Sequence, residues 1–490
     1  MVESLSAPLC CQASELPEQR HNTMTRKRAI DLASACLDNG LFKQHLAQRI
    51  QHRSCSQEPD NLPVLHTYLK QILMPALEEM QFACSIMDNP LAGQPPFLIA
   101  RRIEQDAGYT VLSYGHGDVT RGHDAKWSNG RSPWALSIEG DTWYGRGIAD
   151  NKGQHTINLL ALAQVLQARK GRLGYNITFL FEMGEEVGSP GLREFCELHR
   201  SELAAEVFLA SDGPRLSIDQ PTVFLGSRGG MNFELSVQPR DKSYHSGNWG
   251  GLLRNPAIRL SHALAHLVSA RGQILVPDLL PDTLPHSVRL ALADIKAGTE
   301  PGAPAIDPEW GEPGLSPEER VYGWNSLEIL AFVAGTPDAP VNAIPGHARA
   351  HCQIRFVVGS HSERFLPAMR AHLDQAGFGD VQLEAAGPLL EASRLDPDNP
   401  WVGLALNSLA ASTGKKPALL PNLGGTLPND IFSLTLGLPT LWIPHAHPSC
   451  GQHAPDEHLK DSTIRESLQI MAGLFWDLGE PIALACLQPV

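Results

Sequence analysis

The sequence predicts an α/β protein whose chain is interrupted by an inserted α+β unit. Three observations lead there. Between residues 109 and 210, short apolar runs alternate with helical segments; after Arg228 the apolar residues change to a period of two; from about 388 the strand-and-helix style returns. Strands alternating with helices argue for a layered, largely parallel sheet. Period-two patterning argues for strands with one wet face and one face covered by helices.

Taken in order, residues 27–90 read as helical, with Val64, Tyr68, Leu69, Ile72 and Leu73 at helical spacing until Pro75 interrupts. The run 109–114 (YTVLSY) is apolar and β-branched and stops at Gly115, as a buried strand does. From Lys152 a helix carries Ile157, Leu160, Ala161, Val165 and Ala168 on one face and ends at Gly171. Residues 176–181 (NITFLF) and 207–210 (VFLA) are two further buried strands. Beyond Arg228, Phe233, Leu235 and Val237 alternate, as do Ala350, Cys352, Ile354, Phe356 and Val358. Helices at 256–268 and 362–375 would cover them, and the Pro- and Gly-rich stretch 277–317 reads as a long loop. A helix near 401–411 and a strand near 439–443 complete the first domain. The expected division is a leader over 1–26, a discontinuous domain from 27–228 and 388–490, and an inserted domain over 229–387.

The chain has 490 residues, a soft prior of two or three domains, which the insertion pattern narrows to two. Lys and Arg number 39 against 53 Asp and Glu, a net charge of −14, which disfavours phosphate backbones and anionic lipid as partners. A 42% hydrophobic and 19% charged composition suits a folded globular chain. No run approaches the roughly 18 apolar residues of a membrane span. Nine cysteines, an odd number without CxxC pairs, point to free thiols in a reducing compartment. No signal-peptide pattern precedes Met24, itself a candidate start, so the expected location is the cytoplasm.

Five segments place acidic residues or histidines where the expected strands end. In Gly115-His116-Gly117-Asp118, His116 and Asp118 share one side of an extended chain, as a ligand and the carboxylate orienting its ring would. Asp150 lies in the glycine-punctuated 144–153 turn near a helix start, where an aspartate is equally a helix cap. The adjacent Glu185 and Glu186 repel unless a cation or proton lies between them, so one could ligate while the other moves protons; a solvated acidic turn is the alternative. Ser211-Asp212-Gly213 follows a strand, and in the last segment His453 competes with His445, His447 and His458. Each signal is modest. As an ordered set at strand ends they occupy the crevice where open α/β sheets place their sites. Mixed nitrogen and oxygen donors suit Zn²⁺ or a similar ion, and five ligands fit two metals sharing one carboxylate.

These segments, together with Tyr244-His245-Ser246-Gly247-Asn248-Trp249-Gly250-Gly251, resemble the M20 family of metallopeptidases in order and spacing, over roughly residues 60–480. The resemblance implies a mixed-sheet di-metal catalytic domain with an inserted α+β lid and dimerisation domain. By motif, His116 and Asp212 would hold one metal, Glu186 and His453 the other, and Asp150 both, with a cis peptide often following it. Asp118 would orient His116 and Glu185 would be the general base. His453 is preferred because it alone fits the family's His-x-Pro-[Asn/Asp]-Glu pattern; Asp456 stands where Asn is more usual. Further out, His245 would help stabilise the oxyanion, Asn342 and Arg355 would bind the substrate carbonyl and carboxylate, and Thr426 would contact its C-terminal end.

The cofactors implied are two divalent ions, Zn²⁺ first, with Mn²⁺ or Co²⁺ as alternatives. The implied reaction is hydrolysis of an amide in a dipeptide-like or C-terminal amino-acid substrate. An N-acyl-amino-acid amidohydrolase is the alternative. Asp212, where deacylases of the family usually carry Glu, and the long insert lean towards the dipeptidases and carnosinases. In those relatives the lid forms a homodimer and the residue equivalent to His245 reaches the neighbouring site. A non-catalytic binding module is disfavoured by the presence of Glu185. Motifs of other enzyme classes are missing: there is no GxSxG elbow, P-loop, HExxH or GxGxxG.

Overall fold

The computed structural model describes residues 25–298 and 304–487. The expected leader, with Cys10, Cys11 and Met24, therefore falls outside the described residues except at its end. There Thr25 accepts a hydrogen bond from the Arg28 amide and caps helix α1 (Arg26–Asp38). Arg26, the last residue of the expected leader, is part of that helix and pairs with Asp477 at 2.8 Å.

Helices α1 and α2 (Leu41–Gln51) are followed by helical turns over 62–79, and then the chain becomes extended. The expectation of helix to residue 90 is corrected by β1 (Ala83–Met87), which pairs antiparallel with β2 (Phe97–Arg102). Next come β3 (Thr110–His116), α3 (Lys152–Ala168), β4 (Asn176–Glu182), α4 (Leu192–Leu198), β5 (Val207–Ala210) and β6 (Thr222–Phe224). The chain then enters β7 (Gly229–Val237), α5 (Pro256–Leu267), α6 (His286–Ala293), α7 (Pro317–Tyr322), β8 (Ser326–Ala334), β9 (Ala348–Phe356), α8 (Phe365–Gln375) and β10 (Gln382–Ala385). It returns through α9 (Pro400–Thr413), β11 (Ala418–Leu420), β12 (Thr440–Trp442) and α10 (Asp461–Leu478).

Eight strands form one sheet in the order β1-β2-β4-β3-β5-β12-β6-β11. It is mixed: β3 runs parallel to β4 and β5, and β12 parallel to β5, while β2 meets β4 antiparallel. The expected parallel character holds for the centre, where the site lies, and fails at both edges: β1 and β2 on one side, and on the other the β6–β11 pair, which runs antiparallel to β12. Helix α3 is buried nearly all round, not on one face, because the sheet lies on one side and α1 and α10 pack on the other. Its polar residues Gln154, His155, Thr156 and Asn158 are buried too.

The second sheet, β8-β9-β7-β10, is wholly antiparallel. Phe233, Leu235, Cys352 and Ile354 point to one face, where Leu260 and Leu264 of α5 and Met369 and Leu373 of α8 bury them. Asn232, Gln353, Glu328 and Arg355 alternate onto the other face. The stretch 277–317 is not simply a loop, since it contains α6. Val288, Leu292 and Ile295 pack with Phe208, Phe224 and Leu420 of the eight-stranded sheet. One helix of the stretch expected in the inserted domain therefore packs on the first sheet. Apolar residues at helical spacing bury against whichever sheet face lies nearest, whatever their position in the chain. None of the seven described cysteines forms a disulfide, and no single described helix is long and apolar enough to cross a membrane.

Candidate active site

The parallel strands β3, β4, β5 and β12 end on one side of the sheet, and each delivers polar residues there. His116 ends β3 and is fully buried. Glu185 and Glu186 follow β4, Asp212 follows β5, and His453 lies in the loop after β12. Asp150 sits just before α3, and its peptide bond to Asn151 is cis.

Asp150 joins the two halves of the cluster. Its Oδ1 lies 2.9 Å from His116 Nε2, and its Oδ2 lies 3.0 Å from His453 Nε2. His116 Nε2 is also 3.4 Å from Asp212 Oδ2, and His453 Nε2 is 3.1 Å from Glu186 Oε2. Two donor groups result: His116, Asp150 and Asp212; and Asp150, Glu186 and His453. Asp118 stands behind them. Its Oδ1 is 3.3 Å from His116 Nδ1, while the carboxylate accepts from the amides of Glu185 (3.2 Å) and Glu186 (3.1 Å) and from Ser56 Oγ (2.6 Å). One buried carboxylate thus orients a ring and holds the turn that presents both glutamates. The Glu185 carboxylate itself makes no hydrogen bond or ion pair with a described residue.

Charge is crowded here. Burial opposes a charged His116, but Asp118, Asp150 and Asp212 together hold its pKa well above the usual value. Hydrogen bonds to Asp150 and Glu186 push His453 up to about 11. Burial pushes Glu185 well above the ordinary carboxylate range: His116 opposes this, and Asp212, Glu186 and Asp150 add to it. Burial and the charge of Asp150 raise Glu186 to about 7 and raise Asp212 too. Asp150 alone moves down: burial would raise it, but the hydrogen bonds from both imidazoles outweigh that.

The donors suit divalent cations. With metal–ligand bonds of about 2.0–2.2 Å, neighbouring corners of a tetrahedral site lie roughly 3.3–3.6 Å apart. The histidine–carboxylate separations, 2.9 and 3.4 Å in the first group and 3.0 and 3.1 Å in the second, are close to that spacing. Asp212 Oδ2, buried within the first group, accepts no hydrogen bond from a described residue. A buried oxygen left in this state is costly unless a cation or donor meets it.

The same arrangement of motifs is matched by the model of peptidase family M20/M25/M40, over residues 112–477. The chain belongs to this family. The human Beta-Ala-His dipeptidase is 24% identical over 417 residues, 79% of this chain and 78% of its own length. The Cys-Gly metallodipeptidase DUG1 of Candida albicans is 24% identical over 415 residues, covering 79% and 82%. The mouse and rat Beta-Ala-His dipeptidases align over about half of each chain. The crystal structure of the di-peptidase Dug1p from Saccharomyces cerevisiae shares the fold, with a TM-score of 0.76 at 21% identity over 94% of this chain and all of that one.

In this M20 chain the remaining motif residues fall in two other places. His245 lies in a small two-stranded ribbon and Asn342 immediately precedes its second strand, where Ser246 donates from its amide and hydroxyl to the Asn342 carbonyl at 2.8 and 3.0 Å. Both are exposed, and neither makes a hydrogen bond or ion pair with the five clustered residues. Arg355, on the wet face of the second sheet, meets Thr426 Oγ1 through Nη1, and its Nε donates to Gln353 at 2.9 Å.

Sequence reasoning missed Glu457. Its buried carboxylate accepts from Arg146 Nη1 (2.7 Å) and from the amides of Gly147 (2.9 Å), Ala149 (2.8 Å) and Asp150 (3.1 Å). It thereby fixes the turn that presents Asp150. The signal was its place in His453-Ala454-Pro455-Asp456-Glu457. Asp456 of that motif reaches outward, accepting from Arg131 Nη1 at 2.8 Å and from the Ser128 amide at 3.1 Å.

Proposed function

We propose that this chain is a dipeptidase using two divalent cations, Zn²⁺ first, with Mn²⁺ or Co²⁺ as substitutes. The observation that carries the reading is Asp150, whose two oxygens face different histidine-containing donor groups, beside a Glu185 carboxylate with no partner among the described residues. His116 and Asp212 would hold one ion, Glu186 and His453 the other, and Asp150 both. When bound, such ions supply polarisation of an amide carbonyl and acidify a nearby water. Glu185 takes the proton of the attacking water and returns it to the departing amine, a role its raised pKa supports. Asp118 keeps His116 in its ring orientation and holds the Glu185 amide, so the base stays in place through the reaction. Arg355 and Thr426 bind the substrate's carboxylate end.

The division into a catalytic domain (27–228 and 388–490) and an inserted lid (229–387) is part of this reading, with α6 serving as packing for the catalytic sheet. So is a homodimer through the lid, which would bring His245 and Asn342 of one chain to the other chain's site. Described cysteines that form no disulfide support a reducing, cytoplasmic setting. The relatives' names support dipeptides as substrates, and the alternative is an N-acyl amino acid.

A panel of dipeptides and N-acyl amino acids, assayed after chelation and again after adding back Zn²⁺, Mn²⁺ or Co²⁺, separates the two. Dipeptide cleavage that vanishes on chelation and returns with metal is expected. Turnover of acyl amino acids alone would make the chain a deacylase, and full activity in chelator would end the metal reading.

A further inference from the structure

Arg228 has no assigned role, yet it occupies the junction between the two sheets, immediately before β7. Its amide donates to the Leu423 carbonyl at 3.2 Å and its Nε to the Gly424 carbonyl at 2.7 Å, so it holds the loop that carries Thr426. The opposite side of that loop is fixed by Arg355, whose Nη1 meets Thr426 Oγ1. Arg355 stands directly across from Gly230 in the β7–β9 register, two residues from Arg228. A Cβ at Gly230 would lie 3.1 Å from Thr426 Oγ1 and 3.8 Å from Arg355 Nη1, so the glycine keeps a small space open there.

The charge balance of this corner is unusual. Neither Arg228 nor Arg355 lies within ion-pair distance of a carboxylate among the described residues. Glu328, on the same wet face, is near enough to feel Arg228, but burial raises its pKa and no ion pair forms. Burial and the like charge of Arg355 lower the Arg228 pKa to about 10. Arg228 also lines a cavity of about 240 Å³ together with Trp310, Trp324, Glu312, Arg320 and Glu328. Two half-buried guanidiniums without an ion-pair partner are costly, and a carboxylate that met their N–H donors would remove that cost.

We propose that Arg228 is a second guanidinium for the substrate's free carboxylate, acting beside Arg355 and restricting the enzyme to substrates with an unblocked C-terminus. This rests on the substrate class proposed above only in needing a terminal carboxylate, which dipeptides and N-acyl amino acids share.

The test uses the metal-replete full chain and calorimetric titration of two uncleavable dipeptide analogues, reduced at the scissile amide. One ends in a carboxylate, the other in a carboxamide; an N-acetyl amino acid and its amide form a second pair. Wild type is expected to prefer the carboxylate of each pair. Arg228→Met should cut that preference about tenfold or more, the size of one lost charge-assisted bond. Arg228→Lys, which keeps the charge without the fork, should cut it less, and it carries the test if the methionine variant unfolds. If Arg228 only tethers the 423–426 loop, acid and amide weaken alike, preference is unchanged, and the proposal is overturned. Failure of the dipeptidase reading shows separately, as binding confined to the N-acetyl pair.

Discussion

Glu185 and Glu186 are neighbours in sequence with different surroundings. Glu186 faces His453 at 3.1 Å, whereas the Glu185 carboxylate meets no described partner and the residue is held by its backbone, the amide donating to Asp118 and the carbonyl accepting from Gly188. Glu185→Gln keeps the shape and leaves that amide in place, so metal content by elemental analysis should match wild type. It removes the base, so kcat should fall on the order of 10³-fold with little change in KM. Near-normal turnover would mean that the proton goes elsewhere. At this scale much of the site was legible: the structure draws together His116, Asp118, Asp150, Glu186, Asp212 and His453, all flagged at strand ends. Glu457 was not legible as a separate actor, because its partners, the Arg146 side chain and three backbone amides, lie about three hundred residues earlier, and an amide leaves no mark on side-chain sequence. Arg228 was missed for the same reason, since what it holds is the carbonyl of Gly424.

The elements that carry the site are short strands followed by tight turns, and one of those turns depends on a missing side chain. Gly153, in the first turn of α3, donates its amide to the Gly147 carbonyl, and a Cβ there would fall 1.9 Å from the carbonyl oxygen of Ile148. Backbone on both sides would have to move, and Asp150 lies between. Gly153→Ala should therefore cost about 1–3 kcal/mol of stability and most of the metal affinity. Gly403, within α9, has nothing within 4 Å of its would-be Cβ, so Gly403→Ala should be neutral or stabilising by up to about 1 kcal/mol. Thermal melting and metal content of the two variants check the contrast; equal behaviour would show that the turn tolerates a side chain. Strand alternation was readable because it recurs every two residues. Helix α6 was hidden among prolines and glycines, and β1 lay in a stretch that read as helix, since local composition favoured the other state in each case.

At the scale of the molecule, the inserted sheet leaves one edge strand open. Leu330, 60% exposed, and Ile329, Phe332 and Val333, also exposed, lie along β8. An exposed apolar edge invites pairing. If the proposed homodimer forms there, sedimentation at micromolar concentration should give twice the mass of one chain, and Leu330→Glu should shift it towards the single chain. A single-chain mass for wild type would remove the dimer and leave His245 without a site to reach. The net charge of −14 also gains a partial explanation, since Asp118, Asp150, Glu185, Glu186 and Asp212 cluster where two dications fit. By itself the sequence determined the alternation of strands and helices, the change of period after Arg228, and the order of the motif residues at strand ends. These are signals written over a few neighbouring residues. Only the tertiary structure decided that the sheet is mixed, that α6 packs on the catalytic sheet, that Glu457 fixes the Asp150 turn, and that two arginines share a corner without an ion-pair partner. Each of those is a contact between segments distant in the chain, set by how sheets and loops pack and not by any local pattern.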